Sequence, residues 1–145
     1  DRVIEALNDD SFDFILINYA NADTMGHTGN LEAGLKAVAI INDEIGKLIK
    51  AAESRNATLL ITSDHGNIEE MLNPMTAQIE TQHDPNPVPF YLMAPEFKNR
   101  KFINSNNLSS EVTGVLSDVA PTILELMGIP KPLEMNGESL LQSLV

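Results

Sequence analysis

The chain has no cysteine. That excludes a disulfide framework, a thiolate metal site and a cysteine nucleophile, and it suits the cytoplasm. Positive charge is also scarce, with 9 Lys and Arg against 21 Asp and Glu and a formal net charge of −12. Nucleic acid is therefore a poor partner, because its phosphates attract the opposite balance. Any anionic substrate would have to be met by metal ions, helix N-termini or cations from outside the chain. No apolar run approaches the length that spans a bilayer, and no basic, apolar targeting segment opens the sequence. Aromatic residues are few at 5%, yet the apolar fraction of 43% is that of an ordinary globular protein. The length of 145 residues makes one domain or part of a larger one. The first residue is Asp1 rather than Met, which fits a processed product or an excised piece.

The hydrophobic pattern reads as strand, helix, strand. Residues 12–19 and 57–62 are short and nearly continuously apolar, as strands covered on both faces are. Between them, Leu31, Leu35, Val38, Ile41, Ile45, Leu48, Ile49 and Ala52 recur at spacings of three and four, predicting a helix over about 30–55. This is a βαβ unit with an expected right-handed crossover. A third strand is expected over 88–93, with Pro89 near its start or on an unpaired side. The polar, Asn-rich stretch 98–110 reads as loop. Ser117 or Asp118 then caps a helix that tolerates Pro121 in its first turn and ends at Gly128 and Pro130. A last short helix is expected over about 138–144. The fold class is α/β, a mainly parallel sheet with helices on both faces. Three strands are few for such a domain and would leave edges exposed, so part of the sheet is expected to lie outside this sequence.

All three histidines lie in polar, turn-like segments beside acidic residues. Asp23 and His27 follow the first expected strand, four apart, and so share a face if the segment coils. Asp64 and His65 directly follow the second strand, and His83 precedes the third. In open α/β sheets ligands gather beyond the carboxyl ends of the strands, where both Asp/His segments fall. Mixed imidazole and carboxylate donors suit Mn²⁺, Zn²⁺ or Fe²⁺ better than Mg²⁺ or Ca²⁺. Five such ligands are too many for one catalytic ion with an open position, and about right for most of a two-metal site. A single exposed His–Asp neighbour is ordinarily a solvated pair. Three such segments, at strand ends and accounting for every histidine, make a site the better reading. Ser63, beside His65, reads as a strand-end hydroxyl rather than a nucleophile, and Glu69 and Glu70 read as the solvated first turn of a helix. Gly26, Gly29 and Gly66 would let backbone approach a ligand, and the methionines are core residues.

These segments resemble the cofactor-independent phosphoglycerate mutases of the alkaline phosphatase superfamily. The resemblance rests on Asn18-Tyr19-Ala20-Asn21-Ala22-Asp23 with Gly26-His27-Thr28-Gly29, on Ser63-Asp64-His65-Gly66-Asn67, and on His83 with Asn86-Pro87-Val88-Pro89. The runs 114–122 and 134–140 look like that family's closing segment. The resemblance implies that Asp23, His27 and His83 hold one metal ion. Asp64 and His65 would hold part of a second, with Mn²⁺ the expected ion at both. It further implies that this chain is the C-terminal portion of a metal-binding, alkaline-phosphatase-like domain. The phosphorylated Ser, a further Asp ligand and the substrate-gripping arginines would lie elsewhere in the parent polypeptide. No catalytic nucleophile is then expected among these residues. Two departures stand out: Ala22 where the family usually carries Pro, and Asp84-Pro85 where it usually carries small hydroxyl residues. Neither removes a ligand, but Asp84 would add negative charge near the site.

The implied activity of the parent is interconversion of 3-phosphoglycerate and 2-phosphoglycerate, in glycolysis and gluconeogenesis, through a phosphoserine. This chain would supply metal ligands and be inactive alone. Rival readings are a metal-dependent phosphohydrolase or phosphopentomutase of the same superfamily, and a non-catalytic metal-binding or interaction fragment.

Overall fold

Asn30 starts the longest element by accepting a hydrogen bond from the Ala33 N–H on its side-chain oxygen at 3.0 Å. In the computed structural model, which describes residues 1–73, 75–98 and 112–144, this helix runs over Leu31–Arg55. It ends in a left-handed residue, Asn56, whose N–H meets the Glu53 carbonyl while the Ala57 N–H meets that of Ala52. It is the last of three α-helices among the described residues of one unit, Asp1–Lys98, and its expected span is borne out to within a residue. The helices and strands, in chain order, are α1 (Arg2–Asn8), α2 (Asn21–Gly26), α3 (Leu31–Arg55), β1 (Leu59–Thr62), β2 (Phe90–Met93), α4 (Val119–Leu126) and α5 (Leu141–Leu144). The first five form that unit with the 3₁₀ turns Ile68–Glu70 and Pro95–Phe97.

The buried seam of α3 follows the expected pattern over residues 41–52, where Leu48 and Ala52 are buried and Ile41, Ile45 and Ile49 half-buried, and departs from it in the first turns. Gly34, Ala37, Leu48 and Ala52 are buried, whereas Leu31, Leu35 and Val38 are exposed. Small residues win because the 68–71 segment packs directly on the helix. A methyl group at Gly34 would sit 3.1 Å from Met71 Sδ and 3.2 Å from Ile68 Cδ1. Close approach there leaves the longer side chains of the neighbouring row without a partner among the described residues.

The sheet also departs from expectation. Residues 12–19 form no ladder, and Phe12, Phe14 and Leu16 are exposed. A strand exists only with a hydrogen-bonded neighbour, and none of the described residues supplies one to this segment. The pairing observed is antiparallel: β1 runs against β2, with Leu59 opposite Met93 and Thr62 opposite Phe90. The expected parallel pair is thus replaced, among the described residues, by one two-stranded antiparallel ladder. Pro89 lies immediately before β2, where its missing N–H costs no ladder bond. No helix among the described residues is long and apolar enough to cross a membrane.

A second unit, Asn99–Val145, contains α4 and α5. The loop expected over 98–110 lies, beyond Lys98, outside the described residues. Thr122 is fully buried, and its hydroxyl donates to the Asp118 carbonyl at 2.7 Å and accepts from the Leu140 N–H at 2.9 Å. Pro121 is buried in the first turn of α4, as expected. Asp118 stands at the helix start but caps no helical N–H. Its carboxylate instead accepts from the Val115 and Glu138 N–H groups, each at 2.9 Å. The last helix is shorter than expected, and the Glu138 and Leu140 N–H groups ahead of it are bound to Asp118 and Thr122.

Those two N–H groups hold the Asp118 carboxyl below the ordinary carboxylate range, Val115 contributing most. A lowered folded-state value stabilises the unit above the unfolded-state pKa of about 4 and is lost as pH falls through the folded value. Denaturant unfolding followed by circular dichroism at a series of pH values should therefore show the unit losing stability as pH falls below about 4. Asp118→Asn should flatten the stability change below about pH 4 while lowering stability at neutral pH.

Candidate metal centre

Each site residue is delivered by a specific local device. α2 is a short helix in which the His27 N–H bonds the Asp23 carbonyl at 3.1 Å, so the two side chains stack on one face. The loop after β1 carries Asp64 and His65 and ends at Gly66. An isolated antiparallel bridge joins Gly66 to Asp84, with the Asp84 N–H on the Gly66 carbonyl at 3.0 Å. This bridge draws the His83 loop against the His65 loop and over α2.

The result is a convergence of three donor atoms. Asp23 Oδ1 lies 3.3 Å from His27 Nε2 and 3.2 Å from His83 Nε2, and the two Nε2 atoms are 3.1 Å apart. Ligands held at about 2.0–2.2 Å around one ion are separated by roughly 3.0–3.5 Å in tetrahedral or octahedral arrangements, so these residues fit one face of a coordination shell. The tautomer of His27 fits as well. Its Nδ1–H donates to the Thr81 carbonyl at 2.7 Å, which leaves the Nε2 lone pair of the neutral ring facing the other two donors. Asp23, His27 and His83 are all accessible, with Asp23 half-buried.

His65 stands beside this triangle rather than in it. Its ring stacks on that of His83, centroids 3.5 Å apart, and its Nε2 lies 3.9 Å from Asp23 Oδ1. Asp64 is 86% exposed and reaches only toward His65 Nε2, at 3.6 Å. The five residues singled out in the sequence therefore separate into a compact set of three and an open pair.

The Asp23 carboxyl is held below the ordinary carboxylate range, chiefly by the Asn67 side-chain amide; burial, the next largest effect, opposes it, and the imidazoles of His27, His83 and His65 add smaller lowering contributions. Asn67 is the residue that the sequence reading quoted without assigning it work. It is buried and donates from Nδ2 to Asp23 Oδ1 at 2.7 Å. No periodicity or spacing marks it off from the other asparagines. Only its place after the Asp-His-Gly turn puts it under Asp23.

Other expectations are corrected. Glu69 and Glu70 do lie in a first helical turn, with Glu69 exposed, but Glu70 is half-buried and the helix stops after three residues. They form part of a 3₁₀ turn in which Glu69 accepts from the Asn67 backbone N–H at 2.9 Å and Glu70 from the Asn86 amide at 3.1 Å. The Asp84 carboxylate turns to the Asn86 N–H at 2.9 Å and does not join the donor triangle. Ser63 donates its hydroxyl to the His65 carbonyl at 2.8 Å and so braces the loop at the strand end.

Comparison with known proteins gives the geometry a context. The family model described as "Metalloenzyme superfamily" matches residues 1–131. Among curated relatives, the 2,3-bisphosphoglycerate-independent phosphoglycerate mutases of Clostridioides difficile and Pseudomonas putida are each 43% identical over 141 residues. Those alignments take in 97% of this chain and 26% of each relative, so the chain spans about a quarter of their length. A crystal structure of Leishmania mexicana phosphoglycerate mutase at low cobalt concentration superposes with a TM-score of 0.76 at 26% identity, over 94% of this chain and 26% of that one. That likeness supports the α/β, alkaline-phosphatase-like fold class.

Proposed function

The chain belongs to the metalloenzyme superfamily, and on that premise we infer that it is the metal-bearing C-terminal part of a phosphoglycerate mutase. Residues 1–145 would form that part of one phosphatase-like domain. The observation that carries the reading is similarity along 97% of the chain to proteins named as such mutases, with the donor triangle inside the matched region. Asp23, His27 and His83 would hold one divalent ion, and Asp64 and His65 would contribute to a second, with Mn²⁺ the ion proposed for both. A bound ion supplies neutralisation of negative charge on a phosphoryl group, which a chain of net charge −12 cannot supply from its own side chains.

The chain's own residues have separable tasks. Asp23 brings the negative charge that makes the triangle a cation site. The Thr81 carbonyl orients His27, and the bridge between Gly66 and Asp84 holds His83 in reach. The exposed apolar side chains of Phe12, Phe14, Leu16, Leu31 and Leu35 fit a surface that the rest of a parent polypeptide would cover. A cytoplasmic location follows the proposed glycolytic role.

The test is an assay of the parent polypeptide and of this chain, both with Mn²⁺. The parent should interconvert 3-phosphoglycerate and 2-phosphoglycerate, and the 145-residue chain alone should give no turnover. Robust turnover by the isolated chain would contradict the proposed division of labour. Release of inorganic phosphate by the parent without isomerisation would favour a phosphohydrolase instead.

A further inference from the structure

Asn67 is a buried polar residue. It is 5% exposed, and its Nδ2 donates to Asp23 Oδ1 at 2.7 Å and lies 3.4 Å from the Asp23 carbonyl. The acceptor is the same oxygen that faces His27 and His83. Its own Oδ1 is buried and has no hydrogen-bond partner. An unsatisfied buried amide oxygen is costly, so the placement must be held by something other than the amide's own satisfaction. Two features hold it. The Asn67 backbone N–H is fixed by Glu69 at 2.9 Å. The side chain lies directly against Gly26 of α2, where a methyl group would overlap Oδ1 and come within 2.7 Å of Cγ.

We propose that Asn67 is a positioning residue for the metal centre: its amide takes one lone pair of Asp23 Oδ1, and Gly26 provides the gap that admits it. A carboxylate oxygen has two in-plane lone pairs. With one committed to Asn67, the other remains for a cation and the carboxylate plane can no longer swing. Asp23 is thereby oriented to bind through a single oxygen, in register with the two imidazole nitrogens. This rests on reading Asp23 as a ligand. The pairing of Gly26 with Asn67 explains why a glycine stands at the last residue of α2, where any β-carbon would overlap the amide.

The experiment uses the full chain and two readouts. In the metal-free protein, the Asn67 side-chain amide resonances in a ¹H–¹⁵N spectrum should shift when Asp23 is replaced by alanine. Unmoved resonances would overturn the proposal whatever the protein does with metal. Calorimetric titration with Mn²⁺ supplies the second readout. Asn67→Ala and Gly26→Ala should each lower affinity by about 10–100-fold, the range for groups that orient a ligand. The double variant should bind no more weakly than Asn67→Ala, because Gly26 acts only through Asn67. Circular dichroism confirms that each variant is folded. Additive losses, or a folded Asn67→Ala variant that binds within about twofold of native, would also overturn it. If the native chain takes up no Mn²⁺ while the amide shift is seen, the ligand reading of Asp23 fails and, with it, the metal-positioning role; the hydrogen bond alone would survive.

Discussion

Replacing Asp23 with alanine should lower the affinity of the chain for Mn²⁺ by more than about 100-fold, since losing a ligand exceeds the 10–100-fold typical of losing an orienting neighbour. The reasoning is geometric and electrostatic together. Asp23 Oδ1 is one corner of a triangle whose sides are 3.1–3.3 Å, and it is the only one of the three donors that carries charge when the histidines are neutral. Without it, two imidazoles remain, and two neutral ligands close no charge on a divalent ion. His83→Ala should weaken binding less, because it removes a neutral ligand and the His65 ring, stacked on His83, has its Nε2 3.9 Å from Asp23 Oδ1. Asp64→Ala is the internal comparison. Its carboxylate is 86% exposed and outside the triangle, so the first ion should bind within about threefold of native. Calorimetry on the three variants would check the ranking, and a loss at Asp64 equal to that at Asp23 would put the primary ion at the wrong pair.

The largest expected effect on stability falls in the second unit. Gly137→Ala should destabilise the C-terminal unit by about 3 kcal/mol, the upper range for forcing atoms into a packed place. A β-carbon at Gly137 would collide with the Ser117 carbonyl and approach the Asp118 nitrogen to 3.1 Å. These are backbone atoms, so no side-chain rotation relieves the overlap. Nor is the Gly137 segment free to withdraw. The Gly137 carbonyl accepts from Lys131 Nζ at 2.7 Å, and the adjacent Glu138 N–H is bound to Asp118 at 2.9 Å. Gly46→Ala provides the contrast. It lies within α3 with nothing near its would-be β-carbon, and should stabilise by about 0.5–1 kcal/mol through helix propensity. Denaturant unfolding of both variants would test the pair, and a Gly137→Ala chain as stable as native would refute the packing described.

What the sequence disclosed follows from which features are local. Asn30 and Asn56 bracket α3 through contacts within a few residues, so its span was legible from spacing and end residues. The four-residue spacing of Asp23 and His27 was likewise sufficient, because a single helical turn brings them together. Non-local pairing was less legible. The apolar run 12–19 reads as a strand, but a strand needs a neighbour, and β1 found β2 in the opposite direction. The inner face of α3 matches its apolar spacing at Leu48 and Ala52 but not in the first turns, where close packing of Ile68 and Met71 on Gly34 leaves Leu35 and Val38 exposed. Asp64 looked equivalent to Asp23 in sequence, each beside a histidine after an expected strand. Only the fold distinguishes a carboxylate held by Asn67 from one left in solvent.

The most direct test is a crystal structure of the chain grown with Mn²⁺, with data collected at a wavelength where manganese scatters anomalously. One strong anomalous peak is predicted about 2.0–2.2 Å from Asp23 Oδ1, His27 Nε2 and His83 Nε2. A peak held by Asp64 and His65 without those three atoms, or no peak at a saturating concentration, would contradict the account.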